Sequence, residues 1–305
     1  MGIAAHRRRS IAAMAALVAL SLCAQAAQAA VAKVTVDAGG VKRTALVMER
    51  ERLKKGRRPV IFVLHGSNGA GARIRKNLEL DEAVGASGAI VVYPDAVDGH
   101  WLPAGGGDAD IVFIATLAGK LVAEGRADPR RIFVAGASTG GMLAMRLACE
   151  QAEIFAGAAA IIANMPSGLG ESCKPARPVP FLLINGTADP RVPFAGGPLV
   201  KTDHPGDVLS TDATLAIFAT AAGCTGERGK TLFPNRNPKS GSRAYLEKFD
   251  GCKVPVELVR IEGGGHTIPG HWSGADSGAA GAGAHNIDVD AAKLVVDFFR
   301  RVSAE

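Results

Sequence analysis

Ser138, Asp189 and His266 are the residue types that nucleophilic acyl chemistry needs, and they occur in that order along the chain. A serine hydroxyl is a weak nucleophile until a base takes its proton, and the base needs a carboxylate to orient it. Ser138 is the centre of Gly136-Ala137-Ser138-Thr139-Gly140, a G-x-S-x-G pentapeptide. With 13 serines and 38 glycines in 305 residues, about 0.2 such matches are expected by chance, so the pentapeptide alone says little. Its setting says more. An apolar run at 132–135 reads as a strand, and a small-residue run compatible with a helix follows it. A sharp strand-to-helix turn there would lift the serine oxygen above a sheet, and Gly136, Gly140 and Gly141 would make room for it. The helix start would also offer free N–H groups and a favourable dipole to a developing anion.

The acid and the base are sought at the C-terminal ends of later strands, where α/β sheets place their sites. Asp189 follows the strand at 181–185 in INGTADPRVP. Asp203, Asp207 and Asp212 are later options with no strand before them. His266 follows the strand at 256–261 in IEGGGHTIPG, where three glycines allow close approach to the serine. His271 is its rival; His204 and His285 lack such a setting and read as surface residues.

An oxyanion hole would complete the site. The strand in VIFVLHGSNGAGA ends at His65-Gly66-Ser67. In a site of this kind one N–H comes from this early loop and one from the residue after the nucleophile, which assigns the N–H groups of Ser67 and Thr139. His65 is expected to steady the loop beside the substrate. Trp101 is a candidate to line the acyl or alcohol site, with a packed loop aromatic as the alternative.

Competing chemistries fit less well. Gly66, Gly69 and Gly71 after a strand suggest a dinucleotide loop, but Ile74 stands where the third glycine of G-x-G-x-x-G belongs. No Gly-Lys-Ser/Thr follows, so a phosphate-binding P-loop fails too. Asp98, His100, Asp108 and Asp110 could meet a hard cation, but a substrate-lining loop, or the N-cap of a helix starting near Asp110, accounts for them better. No cofactor and no metal is expected.

These residues need a scaffold. Runs at 60–64 and 89–94 are continuously apolar and β-branched, as in strands buried on both faces of a parallel sheet. Segments 31–36 and 41–48 alternate like two strands joined by Gly39-Gly40. Further strands are expected at 132–135, 157–163, 181–185 and 256–261, and helices at 110–124, 211–222 and 288–302. Strands alternating with helices imply an α/β fold with a mostly parallel sheet in a single domain. No internal repeat and no linker rich in Pro or Ser divides it.

The first 29 residues read as a cleaved secretory signal peptide. Arg7-Arg8-Arg9 precedes an apolar stretch at 11–22, too short to span a bilayer, and Ala-x-Ala sites follow. Leu22 before Cys23 argues against a lipoprotein. Removing the three arginines lowers the formal net charge from +6 to +3, with no cluster suited to nucleic acid. Lys54-Lys55 and Arg57-Arg58 read as a solvated turn. The mature domain, 30–305, is expected to be a monomer outside the cytoplasm, in the medium or the periplasm, without stable membrane association. It keeps Cys149, Cys173, Cys224 and Cys252. Four cysteines allow three pairings; the pairs nearest in sequence, Cys149–Cys173 and Cys224–Cys252, are favoured.

Together, LHGSNGAG, DPRRIFVAGASTGGMLAMRLACE, PVPFLLINGTADPRVPF, AAGC, VELVRIEGGGHTIPG and IDVDAAKLVVDFFRR resemble the secreted polyhydroxybutyrate depolymerase and feruloyl esterase group of α/β-hydrolases, which is related to carbohydrate esterase family 1. The resemblance runs from about residue 32 to 302. It implies an α/β-hydrolase fold, Ser138, Asp189 and His266 as a catalytic triad, and a Cys224–Cys252 disulfide. It implies hydrolysis of 3-hydroxybutyrate esters or oligomers, or alternatively of feruloyl and acetylxylan esters of plant cell walls. Where the group often has Trp after GH-T this chain has Ile268, and where it often has His before GTAD it has Asn185. Both positions are expected to alter the acyl pocket, and 230–243 (KTLFPNRNPKSGSR) is expected at its rim. An exported acyltransferase would use the same triad; a non-catalytic binding protein would keep only the core.

Overall fold

Gly39 and Gly40 have φ of 64° and 82°, the positive values that a two-residue hairpin requires at both central positions. They join β1 (Ala29–Ala38) to β2 (Val41–Arg50). The computed structural model describes residues 29–50, 56–103, 107–200, 206–270 and 281–303. Residues 1–28 of the expected 1–29 leader, with Lys54-Lys55, Asp203, His204 and His271, lie outside the described residues, while Ala29 begins β1.

The remaining elements follow in order: β3 (Arg58–Leu64), α1 (Gly71–Leu78), α2 (Leu80–Ala83), β4 (Ile90–Pro94), α3 (Ala109–Ala123), β5 (Ala127–Ala137), α4 (Thr139–Glu150), β6 (Gly157–Ile161), α5 (Ser167–Ser172) and β7 (Phe181–Gly186). A small ribbon, β8 (Gly197–Pro198) with β9 (Asp207–Val208), leads to α6 (Thr211–Ala221). The chain closes with β10 (Arg228–Leu232), β11 (Arg243–Phe249), β12 (Val256–Glu262) and α7 (Ala291–Val302).

Among the described residues ten strands form one sheet in the order β1-β2-β4-β3-β5-β6-β7-β12-β11-β10. Strands β4, β3, β5, β6, β7 and β12 are parallel to their neighbours within that block. Antiparallel hairpins extend both edges. The continuous apolar runs are buried on both faces, as expected of central parallel strands. Alternation sorts their side chains into two cores. Val60, Phe62, Ile132 and Val134 meet α3, α4 and α6 on one face; Ile61, Val63, Phe133 and Ala135 meet α1, α2 and α7 on the other. Each fully buried large side chain contributes about 1.5–3 kcal/mol. Phe181 stacks on Phe218 and Phe133 on Phe299, so sheet and helices meet through rings on both faces.

Three local differences from expectation have physical causes. Strand β6 stops at Ile161 because Ile162 has φ 48°, which ends an extended strand. Helix α7 starts at Ala291 because the Asp290 side chain accepts from Lys293 N and caps it. The segment 230–243 is not a rim of the site: it contributes edge strand β10 and its connection to β11. Both nearest-neighbour cysteine pairs, Cys149–Cys173 and Cys224–Cys252, are disulfides. Among the described residues no helix is long and apolar enough to cross a membrane.

Candidate active site

Strand β5 runs straight into helix α4 with one residue between them. That residue, Ser138, has φ 55° and ψ −124°, a backbone state that costs a non-glycine residue of order 1–3 kcal/mol. The surroundings hold it there. Its N–H donates to Ile161 O at 2.9 Å and its carbonyl accepts from Met142 N at 3.0 Å. A Cβ on Gly136 would run into the Gly140 carbonyl, and one on Gly140 into the carbonyls of Leu64 and His65. The small residues around the serine are therefore required by contact between α4 and the ends of β3 and β5.

The loops that carry Asp189 and His266 are fastened to each other. Thr187 N donates to Ile261 O and Ala188 N to Gly264 O, both at 2.9 Å. Gly263 N donates to Thr187 Oγ1 at 2.9 Å. A Cβ on Gly186 would strike the Gly264 carbonyl, and one on Gly265 the Ala282 carbonyl. This zipper brings Asp189, after β7, to His266, after β12. Asp189 Oδ2 lies 2.7 Å from His266 Nδ1, and His266 Nε2 lies 3.1 Å from Ser138 Oγ. The other Asp189 oxygen accepts the N–H groups of Arg191 and Val192 at 2.8 and 2.9 Å. An ionised carboxylate only accepts, so Nδ1 carries the proton and Nε2 is left to accept from the serine hydroxyl. The arrangement can move a proton from Ser138 to His266 while the Asp189 charge steadies the imidazolium.

The side chains of His266 and Asp189 are only 8% and 3% exposed. Ser138 opens on a cavity of about 110 Å³. Ser67 and Thr139 line it together with Ser138 and His266, and their hydroxyls are 3.3 Å apart. The expected oxyanion donors thus belong to residues of the same cavity. Met142, Val192, Leu199 and Val200 supply apolar wall, and Arg191 a positive charge. Sequence reading misses these five. Arg191 and Val192 stand in plain view in DPRVPF, two and three residues beyond Asp189; nothing in the sequence ties Leu199 or Val200 to the serine.

None of the three candidate substrate-lining residues His65, Trp101 and Ile268 lines this cavity, and His65 steadies the early loop as expected. His65 is 1% exposed and does not line the cavity. Its Nε2 accepts from Ala96 N at 3.1 Å, so Nδ1 donates to Gly66 O at 2.7 Å. Burial pushes the imidazole below its ordinary pKa; the Gly66 carbonyl and the Asp95 charge oppose this without overcoming it. Trp101 is fully buried: its ring packs 4.8 Å from that of His65 and its N–H donates to His65 O at 2.8 Å. An indole carries a single polar hydrogen, and a buried carbonyl has claimed it. Both residues hold the loop of Ser67 from behind. Ile268 lines a second cavity, of about 250 Å³, beside Leu78, Pro269 and Lys293.

Asn185 does not shape an acyl pocket either. It is buried, exchanges hydrogen bonds with the backbone of Ala163, and donates to Asn164 Oδ1 and Thr211 Oγ1. It ties the ends of β6 and β7 to the start of α6. Asp108 pairs with Arg146 at 2.6 Å and Asp110 with Arg43 at 2.8 Å, so these carboxylates anchor the loop before α3. Among the described residues no group of three or more His, Cys, Asp or Glu is arranged to hold a metal ion.

No protein-family model matches the chain. It is 32% identical over 229 residues to the protein named "Putative esterase NocK" of Nocardia uniformis subsp. tsuyamanensis, covering 70% of this chain and 66% of that one. It is 30% identical over 219 residues to feruloyl esterase B of Piromyces equi, covering 68% of this chain and 39% of that protein. The chain thus spans just under two thirds of the first relative and well under half of the second. An acetyl xylan esterase structure from Aspergillus awamori superposes with a TM-score of 0.58 at 15% identity, over 78% of this chain and 94% of its own. The fold is the α/β-hydrolase fold, and the sequence resembles the feruloyl esterase group.

Proposed function

From that resemblance to the feruloyl esterase group of α/β-hydrolases, we propose that this chain is a serine carboxylic-ester hydrolase. The observation that carries the reading is the continuous hydrogen-bonded line from Asp189 through His266 to Ser138 Oγ, at 2.7 and 3.1 Å, opening on a cavity. His266 takes the proton as Ser138 attacks the ester carbonyl. Asp189 holds the imidazole and stabilises its charged form. The N–H groups of Thr139 and Ser67 stabilise the oxyanion, one such donor being worth about 3 kcal/mol. His266 then hands its proton to the departing alcohol, leaving an acyl-enzyme. Water, deprotonated by the same histidine, releases the acid.

The acyl group is short in this reading. A cavity of about 110 Å³ is well below the roughly 300 Å³ at which sites begin to enclose drug-sized ligands, which suits acetyl or 3-hydroxybutyryl. Short 3-hydroxybutyrate esters or oligomers are the first substrate class. Plant-wall esters are the second, favoured by the names of the relatives, feruloyl esterase and acetyl xylan esterase. The protein acts after export, as one domain from about residue 30 onward, as a monomer. Two disulfides and the apolar N-terminal stretch support export.

The test is hydrolysis of p-nitrophenyl acetate and butyrate by the mature protein beside Ser138→Ala. Hydrolysis that vanishes in the variant supports the esterase, and a screen of 3-hydroxybutyrate oligomers, acetylated xylan and methyl ferulate then ranks the substrates. Equal rates in both proteins would mean that another nucleophile acts. Ester products with an added alcohol, at the expense of free acid, would mark an acyltransferase.

A further inference from the structure

We infer that Arg191 is an anion-recognition residue of the Ser138 cavity, and that the preferred ester carries an ionised carboxylate close to the scissile bond. This rests on the reading of Ser138 as nucleophile and deepens it. Arg191 shares the cavity wall with Ser138 and His266, and no Lys, Asp or Glu is among the described lining residues. An arginine is charged at any pH the enzyme meets, so the cavity carries a fixed positive charge.

That charge is unmatched among the described residues. The Arg191 side chain makes no hydrogen bond, ion pair or ring contact there, whereas Arg43, Arg146 and Arg260, also withdrawn from solvent, each face a carboxylate. The carboxylate nearest in sequence, Asp189, is already engaged: Oδ1 accepts two backbone N–H groups, that of Arg191 included, and Oδ2 holds His266. The backbone of Arg191 is nonetheless fixed, by Asp189 on one side and by Val200 N donating to its carbonyl at 3.0 Å on the other.

The cavity also has a direction. Met142 is 2% exposed and Val200 41%, so the walls run from a buried floor to an open mouth. Arg191, half-buried and with its carbonyl bonded to the exposed Val200, is assigned to the mouth. A planar guanidinium there offers paired donors to a carboxylate, and partial withdrawal from water strengthens the pair. A short acyl group on the floor and a carboxylate at the mouth describe an ester whose alcohol portion is a hydroxy acid. The terminal unit of a hydroxyalkanoate oligomer has that chemistry, and so does an acetylated uronic acid.

The experiment compares kcat/KM for matched pairs: 3-acetoxybutyrate against its methyl ester, and O-acetylated methyl galacturonide against its methyl uronate. Acetate release is followed by an acetate-specific coupled assay, at low and high salt. The wild type should prefer the carboxylate member of at least one pair by about tenfold or more, and salt should shrink the preference. The preference should fall to about one in Arg191→Gln, reverse in Arg191→Glu and survive in part in Arg191→Lys. Which pair shows it assigns the source, hydroxyalkanoate or uronate. A wild-type ratio near one in both pairs, or a ratio that Arg191→Gln leaves unchanged, overturns the inference while the esterase stands. Failure to hydrolyse any ester, p-nitrophenyl acetate included, removes the nucleophile reading and this inference together.

Discussion

Asp189 has two tasks, and one substitution separates them. Its Oδ1 holds the backbone of Arg191 and Val192, and its Oδ2 faces His266 Nδ1. In Asp189→Asn the amide oxygen can still accept the two backbone N–H groups, but its NH₂ would face the imidazole and favour the wrong tautomer. The expected result is a loss of kcat on the order of 10⁴-fold, with KM and the unfolding midpoint little changed. Steady-state kinetics on p-nitrophenyl acetate beside a urea titration check it; parallel losses of kcat and stability would mean that the carboxylate is structural. His65 works on a different principle. It is buried and does not line the Ser138 cavity, yet its two ring nitrogens join Ala96 to Gly66, next to Ser67. It is a positioning residue for the early loop.

At the scale of elements, glycine contacts decide where Ser138 sits. In Gly140→Ala the new methyl would overlap the carbonyls of Leu64 and His65. Helix α4 would have to retreat from β3, at a cost at the upper end of overpacking effects, about 3 kcal/mol. Chemical denaturation checks it, and an unchanged midpoint would show that α4 has room to spare against β3. This same spacing makes the elbow legible in the sequence: an apolar strand, a crowd of small residues and a helix in direct succession force a tight turn with the serine at its apex. The central strands are legible because they are buried on both faces and read as unbroken apolar runs. The antiparallel edge is not. Strand β10, RGKTL, is almost wholly exposed, so no apolar period marks it, and 230–243 reads as an irregular rim. Trp101 and His65 are hard to place for a related reason. Sequence shows that an aromatic residue and a histidine lie in loops near the site, but not whether a ring faces the cavity or fills the space behind it.

For the molecule as a whole, buried titratable groups set the pH range of stability. His65 has its folded-state pKa lowered by burial. Below about pH 6.5 the unfolded chain therefore binds a proton that the folded chain resists, and stability falls as pH drops. Burial would raise the pKa of Glu49, but hydrogen bonds from Arg126 and Arg58 prevail and lower it. Its contribution is present above the ordinary glutamate value of 4.5 and is lost as pH falls through the folded value. On the alkaline side, burial and then the Asp81 charge raise the pKa of Tyr93, so stability declines above about pH 10. Urea midpoints from pH 2 to 11 should trace a plateau with an acid flank in two stages, and His65→Gln should remove the earlier one. A flank unchanged in that variant would contradict the assignment. The disulfides act over the same scale. They close sequence separations of 24 and 28 residues, for which chain entropy gives about 3.5 kcal/mol each. Reduction should lower the unfolding midpoint accordingly, and equal midpoints with and without reductant would show that the core carries the fold unaided.

The central claim is that Ser138 is the nucleophile and that His266 activates it. The most direct measurement is stoichiometric labelling of the native protein with a fluorophosphonate, followed by peptide mass mapping. The account predicts one label per chain, on the peptide holding Ser138, with esterase activity lost in step. It predicts no label in Ser138→Ala and labelling slowed by several orders of magnitude in His266→Ala. A label on any other residue, or a rate indifferent to His266, would contradict it.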